Sequence, residues 1–292
     1  MLMRSLVIPK WVKKHLSHNT NYWQLSNEAK LKVKNGLKQF SSDGDERASV
    51  VIPAWNEEES IFITLSSLAE QKLPFKCELI VVNNNSTDRT QEILDDLGVK
   101  SILETRQGVG YARQTGLENA KGKYFLCADA DCIYPTTWVT KMVDTMESNE
   151  AKGVVATYSD YSFITSGSTP RFVMAIYEAF RNLIYYLKLR DKVHLLVRGF
   201  SFGFLTKAGL ENGAFLIGKQ RVGKGILGSE DYAIGGEDGN MAFTLVNNGG
   251  KVWLSGGKAA RVWTSDRRLI YDGGFMNALK IRLKKYFFKN KK

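Results

Sequence analysis

The sequence predicts an α/β protein with a mostly parallel sheet flanked by helices. Two observations lead to this prediction: apolar runs alternate with amphipathic stretches from residue 48 to about 158, and those runs are almost continuously hydrophobic. Such alternation is typical of repeated strand and helix units, in which the strands are buried on both faces. The 292 residues are 43% hydrophobic and 24% charged, which is enough apolar content for a substantial core.

Five apolar runs are predicted as strands. They are ASVVIPA (48–54), ELIVVN (78–83), SILE (101–104), KYFLCAD (123–129) and GVVATYS (153–159). The stretches between them place apolar residues at helical spacing, over residues 61–69, 93–97, 110–120 and 136–146. After residue 160 the alternation ends in a long helix pattern rich in Tyr and Phe, and aromatic residues at this spacing are more often core than ligand platforms.

The net charge of +11 belongs to the two ends of the chain. Residues 1–40 and residues 280–292 each carry a net +7, so the interval 41–279 carries a net −3. The middle need not be built around a polyanion, and nucleic acid is not an expected partner. The C-terminal stretch KIRLKKYFFKNKK mixes apolar side chains with its cations, which favours a segment resting on an anionic membrane surface. A solvated terminal helix with a lysine tip is the alternative.

Cysteine usage and the N-terminus indicate a cytoplasmic protein. Cys77, Cys127 and Cys132 form no CxxC pair, which argues against a disulfide framework or a zinc site. The first apolar run is short and interrupted by Pro9, so neither a signal peptide nor a membrane span is predicted. With the basic ends, this predicts a cytoplasmic protein that is peripheral on the inner face of the cell membrane.

Polar loops follow four of the predicted strands. They are WNEEE (55–59), NNNSTDRT (83–90), TRQGVG (105–110) and DADC (129–132). Taken singly, each loop is more often a turn or a helix cap than a site. Ligands of parallel α/β sheets bind beyond the carboxyl ends of the strands, so together these loops predict a site at that edge.

Asp129 and Asp131 are the hardest of these residues to explain as structure. On an extended strand they would point to the same side, where two carboxylates repel unless a cation or donor compensates. Mg²⁺ and Mn²⁺ prefer oxygen ligands and are commonly held by one or two carboxylates plus substrate phosphates. The pair therefore indicates a metal diphosphate, although DxD triplets also occur by chance.

Several motifs in this order resemble the family 2 glycosyltransferases, which have the GT-A fold. They are VVIPAWNEEE, ELIVVNNNSTDRT, GVGYARQTGLENAKGKYFLCADAD and GGEDGN, which together cover roughly residues 48–250. The resemblance implies a GT-A type, Rossmann-like sheet with an acceptor-side helical and aromatic insertion. It also implies a nucleotide-sugar donor and a divalent metal, Mn²⁺ or Mg²⁺.

The resemblance assigns roles to individual residues. The loops after the first two strands hold the nucleoside, which implies donor contacts from Pro53, Ala54, Asn56, Glu57 and Asn84. Asp129 would contact the ribose and the metal shell, and Asp131 would ligate the metal. The chain departs from the family at Asn83, Asn84 and Asn85, where an acid is usual. The nucleobase, from a UDP or a GDP sugar, is therefore left open.

The stretch GGEDGN (235–240) supplies the predicted catalytic acids. Acids at a helix start are common because the helix dipole favours them, which accounts for one carboxylate. Inverting transfer needs a base to take the acceptor proton. By resemblance Asp238 is that base and Glu237 binds the acceptor hydroxyl, with the reverse assignment open.

Cationic side chains are expected to offset charge on the leaving diphosphate. Arg106 and Arg113 flank the GVG turn and are assigned to the donor, with solvent-facing arginines as the alternative. The segment WTSDRRL (263–269) resembles one near the end of many bacterial family members. Its arginines would meet the diphosphate or pair with surface acids.

These observations predict an inverting, divalent-metal-dependent glycosyltransferase. Its acceptor would be a saccharide or a lipid-linked sugar, in the synthesis of cell-surface glycans. The alternatives are a retaining transferase, a nucleotidyltransferase on a similar sheet, or a non-catalytic module that binds a nucleotide or an anionic surface. The predicted units are a basic N-terminal extension (1–45), a nucleotide-sugar-binding half (46–160), an acceptor-binding and catalytic half (161–270) and a basic tail (271–292).

Overall fold

The fold comes from a computed structural model of the chain. It describes residues 6–18, 21–40, 43–165, 169–185, 192–212, 214–216 and 236–271, together with residues 187, 273, 275, 277 and 280. The outermost parts of both basic ends, residues 1–5 and 281–292, lie outside these ranges, so the predicted membrane segments there stay predictions.

The described strands form a seven-stranded sheet and a three-stranded sheet. Their bounds are Ala48–Ala54 (β1), Cys77–Asn83 (β2), Ser101–Leu103 (β3), Tyr124–Cys127 (β4), Cys132–Ile133 (β5), Val154–Ser159 (β6), Tyr161–Ile164 (β7), Phe202–Leu205 (β8), Lys251–Ser255 (β9) and Val262–Ser265 (β10). The large sheet has the order β3-β2-β1-β4-β8-β6-β9 and the small one β5-β10-β7. All five predicted strands are present, within one or two residues of their predicted bounds.

The described α-helices cover both faces of the large sheet. Their bounds are Lys10–Leu16 (α1), Asn27–Leu37 (α2), Ile61–Leu68 (α3), Thr90–Leu97 (α4), Val109–Glu118 (α5), Trp138–Glu147 (α6), Arg171–Ile184 (α7), Thr206–Asn212 (α8), Glu237–Asn247 (α9) and Arg267–Tyr271 (α10). The four helices predicted between the first five strands are all confirmed, as α3 to α6. None of the described helices is long and apolar enough to span a bilayer.

The central strands run parallel because helices connect them. β1 pairs in parallel with β2 on one side and with β4 on the other, and β2 pairs with β3. β8 is the exception, since it lies antiparallel between β4 and β6. The sheet is therefore mostly parallel, as predicted, and the carboxyl ends of β1, β2, β3 and β4 meet at one edge.

The apolar residues divide between two faces of the large sheet. One cluster packs β1 and β2 against α3, α4 and α6, and contains the buried ring of Trp138. The other packs the opposite face against α5 and α9, where Phe125 stacks on Phe204 with ring centroids 5.0 Å apart. Continuous hydrophobic strands fit this arrangement because each side of the sheet is covered.

The described part of the basic N-terminal extension belongs to the fold. Val12 of α1 is fully buried, and Tyr22, between α1 and α2, is also buried. Val33 and Leu37 of α2 join the cluster that contains α3 and α4. On α1, Lys13 and Lys14 are exposed while Val12 packs inward. On α2, Lys32 and Leu31 are exposed while Val33 and Leu37 pack inward.

The aromatic residues of the insertion have mixed positions. Met174 and Tyr177 of α7 are buried, as the core interpretation predicted. Phe172 and Phe180 on the same helix are exposed, so that interpretation is wrong for them. The Gly-rich aromatic stretch at 198–204 contributes β8, whose strand character went unpredicted.

Candidate active site

The loops after β1 and β2 are joined by their own side chains. The carboxamide oxygen of Asn56 accepts the Thr87 N–H at 2.8 Å, and the Asn56 N–H donates to the Ser86 hydroxyl at 3.0 Å. Asn56 has a positive φ of 53°, a conformation that asparagine tolerates better than most residues. Pro53 and Ala54 end β1 directly before this loop, and the Asn84 N–H donates to the Ala54 carbonyl at 2.8 Å.

Asn84 ties the second loop to the third. Its carboxamide oxygen accepts the Gly108 N–H at 2.8 Å, and its amide nitrogen donates to the carbonyls of Glu104 and Arg106 at 3.1 and 2.7 Å. Gly108 has φ of +144°, which only glycine adopts readily, and it caps the start of α5, whose first residues are Val109 and Gly110. The side chain of Asn84 therefore holds the loop after β2 against the loop after β3.

Arg106 lies at the rim of this edge. Its guanidinium donates to both carboxylate oxygens of Glu104, at 3.0 and 2.8 Å, and lies 4.8 Å from the ring centroid of Tyr111. The hydrogen bonds from Arg106 hold the pKa of Glu104 at about 2. The arginine itself is more than half exposed, which leaves it accessible to a ligand.

A buried arginine joins the two predicted halves of the site. Nη2 of Arg113 donates to Asp129 at 2.8 Å, and Nη1 donates to Glu237 at 2.7 Å. The Arg113 side chain is only 3% exposed. Burial works against its charge, but Glu237 and Asp129 hold the pKa of Arg113 above its ordinary value. We call this contact the Arg113 bridge. It joins Asp129 to Glu237, which lies 108 positions further along the sequence.

A second arginine joins the other aspartate to the first loop. Nη2 of Arg267 donates to Asp131 at 2.9 Å and to both carboxylate oxygens of Glu57 at 3.0 Å. Ser265 donates a further hydrogen bond to Asp131 at 2.7 Å. Burial works against the charge of Arg267, but Asp131 and Glu57 hold the pKa of Arg267 above its ordinary value. Burial also raises the pKa of Glu57 to about 7. We call this contact the Arg267 bridge.

The two aspartates are separated by a turn and not by an extended strand. β4 ends at Cys127, and residues 128–131 form a loop before β5. The Asp129 N–H donates to the hydroxyl of buried Tyr134 at 2.9 Å, which helps to fix this turn. The prediction that both carboxylates leave one face of a strand is therefore wrong, and each binds a different arginine.

Asp238 is the second residue of α9 and follows Glu237 of the Arg113 bridge. Its carboxylate accepts the Gly239 N–H at 2.9 Å, and the helix dipole favours its charge in this first turn. Among the described residues this is the one hydrogen bond to the Asp238 side chain. Glu237, by contrast, is engaged by Arg113.

The donor set of the site suits a hard cation. Asp129 and Asp131 offer carboxylate oxygens, the ligands that Mg²⁺ and Mn²⁺ prefer, and an arginine cation already lies against each. Within the part of the chain that the structure describes, no group of three or more His, Cys, Asp or Glu side chains is arranged to hold a metal. A cation here would therefore take few ligands from the protein and the rest from a bound phosphate.

Sequence reasoning missed the parts of the site that hold these side chains in place. The segment WTSDRRL was singled out, but the partners of Arg267 were not predicted, and neither was the contact of Ser265. Gly199 was missed entirely: a Cβ there would lie 1.9 Å from Nη2 of Arg113. Only spatial packing reveals that requirement, because the two residues are far apart in sequence.

The chain belongs to glycosyl transferase family 2. Residues 49–206, just over half of the chain, match the family of that description. The match covers the strands and loops that carry Glu57, Arg113, Asp129 and Asp131, and it ends before α9.

Curated relatives share the same region. An uncharacterized glycosyltransferase of Bacillus subtilis, YfnE, is 28% identical over 175 residues, covering 58% of this chain and 42% of its own. The Escherichia coli protein WfaP is 29% identical over 120 residues, covering 40% of this chain and 46% of its own. It is named as a UDP-Glc:alpha-D-GlcNAc-diphosphoundecaprenol beta-1,3-glucosyltransferase. The chain thus spans less than half the length of these relatives.

Solved structures share the fold at low sequence identity. Staphylococcus aureus TarS 1-349 in complex with UDP has a TM-score of 0.53 at 18% identity, covering 75% of this chain and 60% of its own. The mannosyltransferase PcManGT from Pyrobaculum calidifontis, in complex with GDP-Man and Mn²⁺, has a TM-score of 0.50 at 18% identity, covering 86% of this chain and 67% of its own. The likeness to these two structures, one of them named as a mannosyltransferase, confirms the predicted GT-A fold.

Proposed function

We propose that the protein is an inverting glycosyltransferase that moves a sugar from a nucleotide-sugar donor to a saccharide or lipid-linked acceptor. The reaction would depend on a divalent metal, Mn²⁺ or Mg²⁺, and would serve the synthesis of cell-surface glycans. Family membership and the names of the curated relatives support the reaction class. Solved neighbours carry UDP in one case and GDP-Man with Mn²⁺ in another, which supports a nucleotide-sugar donor.

The observation that carries the proposal is the Arg113 bridge. It joins Asp129, from the donor edge of the sheet, to Glu237, from the start of α9. A module that only binds a nucleotide has no need to tie the donor loop to a second acidic segment. A transferase does, because donor and acceptor must be held in line for attack at the anomeric carbon.

On the donor side, Asp131 and Asp129 would hold the metal. Bound there, the metal would stabilise the negative charge that develops on the leaving diphosphate. Arg267 would leave Asp131 as the donor arrives and offer its guanidinium to the diphosphate, a group that matches its geometry. Arg106, at the rim, is the second cation available to the donor.

On the acceptor side, Asp238 is the proposed base. Its carboxylate accepts one backbone N–H, whereas Glu237 is engaged by the buried guanidinium of Arg113. Because Arg113 already holds the Glu237 carboxylate in place, Glu237 is better suited to orienting the acceptor hydroxyl. Asp238 then takes the proton as the hydroxyl attacks.

The test compares Asp238→Asn with Glu237→Gln, using donor binding and sugar transfer as separate readouts. We expect Asp238→Asn to bind donor like the wild type and to lose transfer by about 10²-fold or more. Glu237→Gln should lose transfer and also loosen Arg113. Normal turnover by Asp238→Asn would place the base elsewhere, and a product that keeps the donor's anomeric configuration would refute inversion.

A further inference from the structure

The outer face of α7 is apolar, where a surface helix is ordinarily polar. Every exposed side chain that the structure describes on this helix is hydrophobic. The set comprises Phe172 (54% exposed), Ile176 (64%), Phe180 (43%) and Leu183 (47%), and Leu187 (67%) continues it beyond the helix end. Spacings of three and four residues put these side chains on one line, which we call the apolar stripe.

The charged residues of the same helix lie on its inner face. Glu178 is fully buried and accepts hydrogen bonds from Arg171 at 2.9 Å and from the Phe163 N–H at 2.8 Å. The guanidinium of Arg181 lies 3.8 Å from the ring centroid of Tyr161. Rotating the helix to bury the stripe would expose hydrophobic Met174 and break these buried pairs. The fold therefore fixes α7 with its charged side chains inward and the apolar stripe outward.

The size of the stripe sets it apart from ordinary surface hydrophobicity. Single exposed apolar residues need no explanation, whereas contiguous apolar patches mark interaction sites. From Phe172 to Leu183 the stripe extends about 17 Å at the helical rise of 1.5 Å per residue. Such a length fits a helix that lies along a surface.

Cations follow α7 and the segment that packs on it. Lys192 and Lys280 are exposed, and from Lys280 the sequence continues with six further Lys or Arg residues and no acid. Phe275, five residues before Lys280, packs edge-on against Tyr177 of α7, with ring centroids 5.4 Å apart. A second copy of the chain would bring the same positive charge to the face, whereas an anionic lipid surface complements it.

We propose that α7 docks on an anionic lipid bilayer, with the apolar stripe at the boundary of headgroups and acyl chains. Leu269, two residues from Arg267 of the candidate site, packs in the same apolar cluster as Met174 and Tyr177 of α7. Docking therefore brings the site next to the lipid surface. If the proposed function holds, a lipid-linked acceptor would be presented there, but docking itself does not depend on catalysis.

The experiment measures co-sedimentation of the full chain with vesicles of phosphatidylcholine, with and without about one third phosphatidylglycerol. The test variant is Ile176→Gln with Phe180→Gln. The matched control is Leu31→Gln with Leu103→Gln, which changes two side chains that are 57% and 61% exposed away from α7. Thermal unfolding followed by circular dichroism checks that both variants are folded.

We expect binding to anionic vesicles that falls about ten-fold or more in the test variant and stays unchanged in the control. Binding should weaken with phosphatidylcholine alone and with added salt. No binding of the wild type to anionic vesicles, or an equal loss in both variants, would overturn the proposal. A lipid-free dimer that only the test variant dissociates would assign the stripe to a second copy instead. Vesicle binding is measured without turnover, so its failure is distinct from failure of the proposed function.

Discussion

Gly199→Ala tests the Arg113 bridge without removing any of its charges. A Cβ at this position would lie 1.9, 2.0 and 2.2 Å from Nη2, Nη1 and Cζ of Arg113. Ordinary contact needs about 3.5 Å, so the guanidinium must retreat by roughly 1.5 Å. A shift of that size breaks hydrogen bonds that start at 2.8 Å to Asp129 and 2.7 Å to Glu237.

The expected cost follows from the burial of the bridge. Each hydrogen bond to a charged group contributes about 1.5–3 kcal/mol, and the carboxylates are only partly buried and regain some water. We therefore expect the free energy of unfolding to fall by about 3 kcal/mol. In urea this moves the midpoint by about 1 M if the slope is near 3 kcal/mol per M. Sugar transfer should fall about ten-fold or more, because Asp129 and Glu237 lose their common partner.

The control and a double variant make the test specific. Gly256→Ala adds the same methyl group where no atom lies within 4 Å, so its unfolding free energy should change by less than about 0.5 kcal/mol. Arg113→Met should resemble Gly199→Ala, and combining the two should cost little more than either alone. Wild-type stability and turnover in Gly199→Ala, or full additivity in the double variant, would refute the reasoning.

The remaining predictions concern three other positions. Arg267→Gln should bind Mn²⁺ alone more tightly, because Asp131 loses a competing cation, and should bind the donor more weakly. Calorimetry that shows neither change would refute a role for Arg267 as the cation that competes with the metal at Asp131. Asn84→Leu should weaken donor binding and increase proteolysis of the third loop, and unchanged cleavage would show that the loop holds without it. Burial lowers the pKa of His15 from 6.5 to about 4, so its contribution to stability is present above pH 6.5 and is lost as pH falls towards 4. The free energy of unfolding, measured with urea, should be lower at pH 4.5 than at pH 7 by up to about 3 kcal/mol in the wild type. In His15→Gln the difference should be smaller.

Most of the central fold could be predicted because burial leaves a plain signal in parallel α/β units. Strands covered on both faces are continuous apolar runs, and the helices between them have a clear period. β8 was missed because Phe202–Leu205 is short and contains a glycine. The exposed face of α7 was missed for a different reason: periodicity reveals an apolar side but not whether that side faces inward.

The acids of the candidate site could be singled out in the sequence, whereas the contacts that hold them could not. Asp129 and Asp131 stand out because carboxylates at the end of a buried strand lose solvation, and Glu237 stands out because it follows two glycines. Their arginine partners lie far away in sequence, and a single sequence records no distances between side chains. Arg113 in particular sits on a helix, where a solvent-facing position is the ordinary expectation, yet it is 3% exposed.

Calorimetric titration with UDP and with GDP, each with and without Mn²⁺, asks whether this sheet edge binds a nucleotide through a metal. We expect the wild type to bind one of the two nucleotides only when Mn²⁺ is present, and Asp131→Asn to lose this dependence while keeping its folded circular dichroism spectrum. Equal nucleotide affinity with and without Mn²⁺, or unchanged metal-dependent binding in Asp131→Asn, would contradict the assignment of this sheet edge as a metal-dependent donor site.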